Sequence, residues 1–228
     1  MGGQACVLYG GAEFSRDIDF AIFANSANLI QLRAALEDLQ ARVIAVPPFE
    51  MKYLRRGHAV HFRCLVPEAA GLRVDVMTKM RGVDSFSKLW RRRVTLQSED
   101  GTLYQLMSLP DLMKAKKTQR DKDWPMIRRL IEVHYFNHYE KATASQTRFW
   151  FLELRTPKLL LELAASHPKV CRELVPARPL LRFTLKGDET VLAEALLQEE
   201  KAEREADRLY WQPLKAEIER LRHDRLRK

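Results

Sequence analysis

Polar and apolar positions alternate over residues 17–24 (DIDFAIFA) before the run becomes fully apolar, the period of two that marks a strand entering a core. Asn25-Ser26 follows as a candidate helix cap, and Leu29, Ile30, Leu32, Leu36 and Leu39 recur at helical spacing to about Gln40. Residues 43–46, 59–66 and 72–77 are the next strand candidates, set apart by Pro47-Pro48, Gly57 and a turn-prone stretch at 67–71. Val94–Gln97 and Leu103–Leu106 flank Ser98-Glu99-Asp100-Gly101, a hairpin pattern. From Leu109 the period becomes helical: Pro110-Asp111 opens one helix, and Trp124-Pro125 stands where another starts and runs through Ile127, Leu130, Ile131 and Tyr135. Beyond about residue 142 the only strand signal is a weak one at 181–185. Residues 190–226 set Leu192, Leu196, Leu197, Leu209, Leu214, Ile218 and Leu221 among dense mixed charge, which predicts one or two amphipathic helices interrupted near Pro213. The expected fold class is α/β (α+β), a short mixed sheet flanked by helices over residues 1–142, followed by a helical region over 143–228.

The chain has 228 residues, 46% hydrophobic and 30% charged, enough to bury a core and unlike a disordered tail or a disulfide miniprotein. Its formal charge of +9 is spread out, 22 basic against 16 acidic residues over 1–142 and 17 against 14 over 143–228. A distributed positive excess points to a polyanionic partner such as RNA or a nucleoside triphosphate, without indicating sequence recognition. Cys6, Cys64 and Cys171 are odd in number and form no CxxC pair, which suits reduced thiols better than a disulfide frame or a zinc knot. No apolar run approaches the ~18 residues of a spanning helix, and the first residues lack a basic segment followed by an apolar one, so the expected location is cytoplasmic with no membrane partner.

The carboxylates change the picture most. Asp17 and Asp19, two apart, project from one face of the first strand, and Asp75 stands among β-branched residues in LRVDVM. Desolvating a carboxylate costs several kcal/mol unless its charge is compensated, and a divalent cation is one compensator. Asp17 and Asp19 can chelate one Mg²⁺ or bridge two, with Asp75 closing the site as ligand or accepting a proton from a hydroxyl nucleophile. The plainer alternative is an exposed edge strand with surface acids.

Gly2-Gly3-Gln4-Ala5, Leu8-Tyr9-Gly10 and Ser15-Arg16-Asp17-Ile18-Asp19-Phe20 together resemble the signature of the DNA polymerase β type nucleotidyltransferase superfamily, in which a Gly-Gly or Gly-Ser turn precedes an Asp-x-Asp strand. Val74-Asp75-Val76 is similar to its third acidic strand. Asp111-Leu112-Met113-Lys114-Ala115-Lys116, followed by Arg120-Asp121-Lys122-Asp123, resembles the Lys and Arg-x-Lys-Asp motifs of the abortive-infection toxin branch. The resemblance spans roughly residues 2–130. It implies a sheet with Asp17, Asp19 and Asp75 as catalytic, metal-holding residues, Mg²⁺ or Mn²⁺ as cofactor, and ATP or another NTP as substrate. The glycine motif can be Gly2-Gly3 or Gly10-Gly11; the first is favoured because it leads into a helical turn. That choice places the strand that usually feeds the turn ahead of Met1: Met1 is then internal, the chain truncated, or the edge supplied by a partner. No serine stands beside the glycines, so backbone N–H groups and Ser15 would hold the triphosphate.

A polyphosphate also needs cations, and Arg16, Lys116, Arg120 and Lys122 are the candidates, with Lys116, Arg120 and Asp123 sharing a face if their helix is continuous. Arg55-Arg56 and Arg91-Arg92-Arg93 near Tyr53, Phe62, Phe86 and Trp90 suit a groove for single-stranded RNA or a tRNA end. His134 and His138, i and i+4, lack the glutamate of a zinc helix. The expected reaction is transfer of a nucleoside monophosphate to a hydroxyl of RNA or tRNA, a protein or a small molecule, with pyrophosphate leaving. The rival expectation is a noncatalytic nucleic-acid-binding or antitoxin-partner module that keeps the fold. The C-terminal helices are candidates either for shaping the acceptor site or for a homodimer contact, and a purely structural dimerisation protein is the third possibility.

Overall fold

The computed structural model describes residues 1–227. The chain is mixed α/β, and it forms two compact units: residues 1–8, 12–116 and 209 onward make the first, residues 9–11 and 117–208 the second. The last helix divides between the two.

The first unit runs α1 (Gly2–Leu8), β1 (Asp17–Ala21), α2 (Ser26–Asp38), β2 (Arg42–Val43), α3 (Met51–Arg56), β3 (Val60–Arg63), β4 (Arg73–Met77), α4 (Phe86–Arg92), β5 (Val94–Gln97), β6 (Leu103–Leu106) and α5 (Leu109–Lys116). Four strands form a mixed sheet in the order β1-β4-β3-β2, with β1 parallel to β4 and the other pairs antiparallel. The parallel pair aligns Asp17 with Arg73 and Asp19 with Asp75. Alternation then sends Val74 and Val76 to the opposite face, where they join Leu29 and Leu36 of α2, Leu54 of α3 and Phe62 of β3 in one apolar core. Burying each such side chain contributes roughly 1.5–3 kcal/mol, which ties the strand register to the helices behind it. Asn25 caps α2 through its side chain, which accepts from Asn28 N–H at 2.7 Å. The β5–β6 hairpin forms at the predicted positions.

Other expectations change. The strand expected at 43–46 shortens to Arg42–Val43, because the prolines at 47 and 48 supply no N–H to a ladder. The candidate at 59–66 pairs only over Val60–Arg63, and Pro67–Ala69 turns back as a 3₁₀ segment. The weak strand signal at 181–185 falls on a helix, Leu181–Thr184, capped by Leu185.

The second unit holds α6 (Asp123–His138), α7 (Ala144–Glu153), α8 (Pro157–Ser166), α9 (Pro168–Leu174), α10 (Leu181–Thr184) and the first part of α11 (Glu189–Leu226). Residues 117–122 lie outside any helix, so Lys116 ends α5 and does not share a continuous helix with Arg120 and Asp123. Helix α11 is single and carries Pro213 inside it. The helix is exposed there, so water can serve the carbonyl that the missing N–H leaves. Thr143 and Gln146 close a reciprocal capping box on α7.

Trp150 of α7 donates from its indole Nε1 to His134 Nδ1 at 2.9 Å, which requires an unprotonated Nδ1. Burial, aided by the neighbouring His138, pushes His134 down to about 4. Its native value lies below the unfolded one near 6.5, so the unfolded chain binds the proton more readily. Stability should therefore fall as pH drops from about 6.5 toward 4, by on the order of 1–2 kcal/mol after allowance for solvent screening. Urea unfolding at stepped pH, compared with His134→Gln, checks this: the substitution should flatten that part of the profile.

Candidate functional site

The acidic cluster of the first unit is built where α1 meets β1. Gly3 N–H donates to Asp19 Oδ2 at 3.2 Å, and the Met1 amino group donates to the Asp19 carbonyl at 2.8 Å. A Cβ on Gly2 would fall inside the Asp19 carboxylate, and one on Gly3 inside the Ser15 hydroxyl. Gly2 also has a φ of +65°, so both its conformation and its closeness to Asp19 demand glycine. Ser15 Oγ donates to the Asp17 carbonyl at 3.0 Å, while Gln4 Nε2 donates to the Ser15 carbonyl at 3.1 Å. Gly2, Gly3, Ser15, Asp17 and Asp19 are thus brought together.

Asp75 stands directly across the parallel pair from Asp19. Like charges in such a position repel, and the sequence supplies a local answer. Arg73 Nε and one terminal nitrogen grip the two Asp75 oxygens at 2.8 and 2.7 Å, while another reaches within 3.9 Å of Asp17 Oδ2. His61 Nδ1, on the neighbouring strand, lies 2.8 Å from Asp75 Oδ1. Burial pushes the Asp75 carboxyl up, but the hydrogen bonds and charges of His61 and Arg73 outweigh it and hold the group below the usual carboxylate range. Among the described residues no three Asp, Glu, His or Cys side chains converge as a ligand set for a metal ion. Asp17 and Asp19 remain on one face of β1, while Asp75 is bound to Arg73 and His61.

The cationic candidates scatter. Arg16 is exposed, with its guanidinium 6.0 Å from the Phe14 ring. Lys116 is buried at the end of α5, and its charge disfavours protonation of the Met1 amine, which burial lowers first and Asp19 raises. Arg120 and Asp123 belong to the second unit and bind each other: Arg120 Nε and a terminal nitrogen lie 2.8 and 2.7 Å from Asp123 Oδ2, which also accepts from Thr118 Oγ1 at 2.5 Å. Lys122 is exposed just ahead of α6. Asp111 is buried and held by Arg92 through two hydrogen bonds of 2.9 and 2.8 Å and by Ser108 at 2.7 Å.

The expected single-strand groove divides. Phe62 and Tyr53 belong to the buried interior, and Arg56 is tied to Glu217. Phe86 and Trp90 instead form a surface ladder with Phe23: centroids 5.8 and 5.7 Å apart, near-parallel rings, and the Arg93 guanidinium 4.1 Å from the Trp90 centroid. Phe23 and Trp90 are each 45% exposed. Phe23 is the member that the sequence reading missed. No helix among the described residues is long and apolar enough to cross a membrane.

Comparison of the chain with protein-family models, with curated proteins and with solved structures returned no match.

Proposed function

We propose that the chain is a metal-dependent nucleotidyltransferase that moves a nucleoside monophosphate from an NTP to a hydroxyl of RNA. The observation that carries this reading is the glycine cradle on Asp19, with Asp17 on the same face and Asp75 opposite. Two glycines confined by a carboxylate and a serine hydroxyl let α1 approach β1 closely enough for Gly3 N–H to fix the Asp19 carboxylate beside Asp17, an arrangement suited to holding a cation.

Asp17 and Asp19 share one face of β1 and offer two carboxylates suited to a divalent cation, with the Arg73 guanidinium near Asp17 and the Met1 amine beside Asp19 already supplying part of the compensating charge. Mg²⁺ bound there would supply Lewis-acid polarisation of the phosphate oxygens. A carboxylate held below its usual range is a weak base, so the lowered Asp75 favours an electrostatic or ligand role over proton abstraction, and the ligand role requires Arg73 to release it. In the transfer the acceptor oxygen forms a bond to the α-phosphorus, the bond to pyrophosphate breaks, and the hydroxyl proton passes to solvent. The Phe23–Phe86–Trp90 ladder with Arg93 supports a nucleic-acid acceptor, because stacked aromatic faces beside a guanidinium suit unpaired bases.

One observation favours a noncatalytic RNA-binding module: Arg73 and His61 already compensate Asp75, so that carboxylate needs no cation. Incubation with each labelled NTP, Mg²⁺ and total RNA separates the readings. The enzyme transfers label and the module does not, while Trp90→Ala weakens RNA retention in both, by about tenfold for loss of one stacked base.

A further inference from the structure

The second unit contains a cleft of about 520 Å³ whose lining includes Trp124, Leu196 and four arginines, Arg128, Arg129, Arg155 and Arg204. That volume suits a small organic ligand. Its floor is unusual in charge. Arg155 is 6% exposed, its guanidinium lies 4.5 Å from the Trp124 centroid, and its Nε has no hydrogen-bond acceptor. The carboxylate nearest to it, Glu199 at 3.2 Å, is already gripped by Arg178 through hydrogen bonds of 2.9 and 2.7 Å. Two buried guanidiniums therefore share one carboxylate.

Three carboxylates also line the cleft, but each has a protein donor. Asp121 and Glu200 hold Arg204, and Glu132 accepts from the Thr156 hydroxyl. Arg128 stands exposed on the exposed face of α6. Burial lowers the Arg155 pKa and Arg178 adds to the effect, while Glu199, Glu153 and Glu200 oppose it without restoring the ordinary value, so the charged form is under-compensated where it stands.

We propose that this cleft binds a phosphate-bearing ligand, its phosphate between Arg128 and Arg155 and its remaining body against the apolar wall at Leu196. A guanidinium fork matches two phosphate oxygens, and an anion there supplies the charge that Arg155 lacks. The phosphate can come from a free nucleotide or from an RNA backbone. The site stands apart from the acidic cluster in its residues and does not rest on the transferase reading.

Calorimetric titration of the full chain in EDTA, which removes divalent cations from the acidic cluster, tests this with three probes: pyrophosphate, a nucleoside monophosphate and a short single-stranded RNA. Binding of at least one probe is expected, weakened about tenfold or more by Arg128→Ala and by Arg155→Met, with Asp19→Asn unaffected. Because the Trp90 ladder is expected to hold RNA independently, the order is scored in a Trp90→Ala background on the Arg128-dependent binding alone: a monophosphate tighter than RNA marks a small-molecule site, and the reverse order marks a backbone site. Because Arg155→Met removes a buried charge and can disturb folding, Arg128→Ala, on an exposed position, decides the matter alone if the former unfolds. No binding by any probe at millimolar concentration, or binding unchanged in Arg128→Ala, overturns the proposal.

Discussion

Replacing Asp19 by Asn is expected to lower nucleotide transfer at least a hundredfold while leaving the unfolding midpoint nearly unchanged. Asn keeps an oxygen that can accept from Gly3 N–H, so the junction between α1 and β1 survives. It removes a negative charge that repels Asp75 across the parallel pair but attracts the Met1 amine and Arg73, so the two effects on stability offset. A hundredfold loss corresponds to about 2.7 kcal/mol of transition-state stabilisation, an ordinary amount for a ligand that fixes a cation beside a phosphate. Activity should thus fall while stability holds, which is the mark of a charge kept for function rather than for the fold. The measurement is initial transfer rate at saturating NTP beside a thermal melt. Undiminished transfer sinks the assignment of Asp19, and a loss of transfer matched by a loss of folded protein makes Asp19 a structural residue instead. Asp75→Asn behaves differently, because it strips Arg73 and His61 of their acceptor and should reduce stability as well.

How far the chain could be read without coordinates depended on the separation of the interacting residues. The Asn25 cap and the β5–β6 hairpin are written in short-range periods and turn residues and formed where those signals lie, while the strand expected over 17–24 formed only over Asp17–Ala21. Gly2-Gly3 was legible as a pair of glycines before an acidic strand. Arg73 was missed although its signal was present: in RVDVM it lies two before Asp75, hence on the same strand face, and a same-face arginine is the simplest compensation for a buried carboxylate. His61 carried no such signal, because its place opposite Asp75 depends on the β3–β4 register. Helical period alone overran the end of α5, where residues 117–122 leave the helix and Asp123 turns back on Thr118 and Arg120. The buried charges of the second unit were illegible for the same reason as His61. Arg155, Arg178 and Glu199 come from different segments and meet only in the packed structure.

Those three residues carry the largest expected effect on stability. Glu199→Ala should destabilise the second unit by about 3–5 kcal/mol, because it leaves two buried guanidiniums without their carboxylate rather than deleting a balanced group. Arg178 is 4% exposed and also donates to the Phe151 and Leu154 carbonyls at 2.9 and 2.8 Å, so it cannot swing out to water without abandoning both. Glu199→Gln should recover part of the loss by keeping one oxygen acceptor, though not the charge. The pH dependence has a definite sign. Burial pushes the Glu199 carboxyl up, but hydrogen bonds and charge from Arg178, with Arg155 and Lys117, bring it below its ordinary value. Its contribution is therefore complete above the unfolded value near 4.3 and is lost as pH falls through the lower native one. Chemical unfolding of wild type and both variants at pH 7 and across the acid range checks magnitude and sign together. A cost below about 1 kcal/mol at pH 7 would place these arginines in contact with enough water to need no carboxylate, and would equally remove the charge imbalance on which phosphate binding in the cleft was argued.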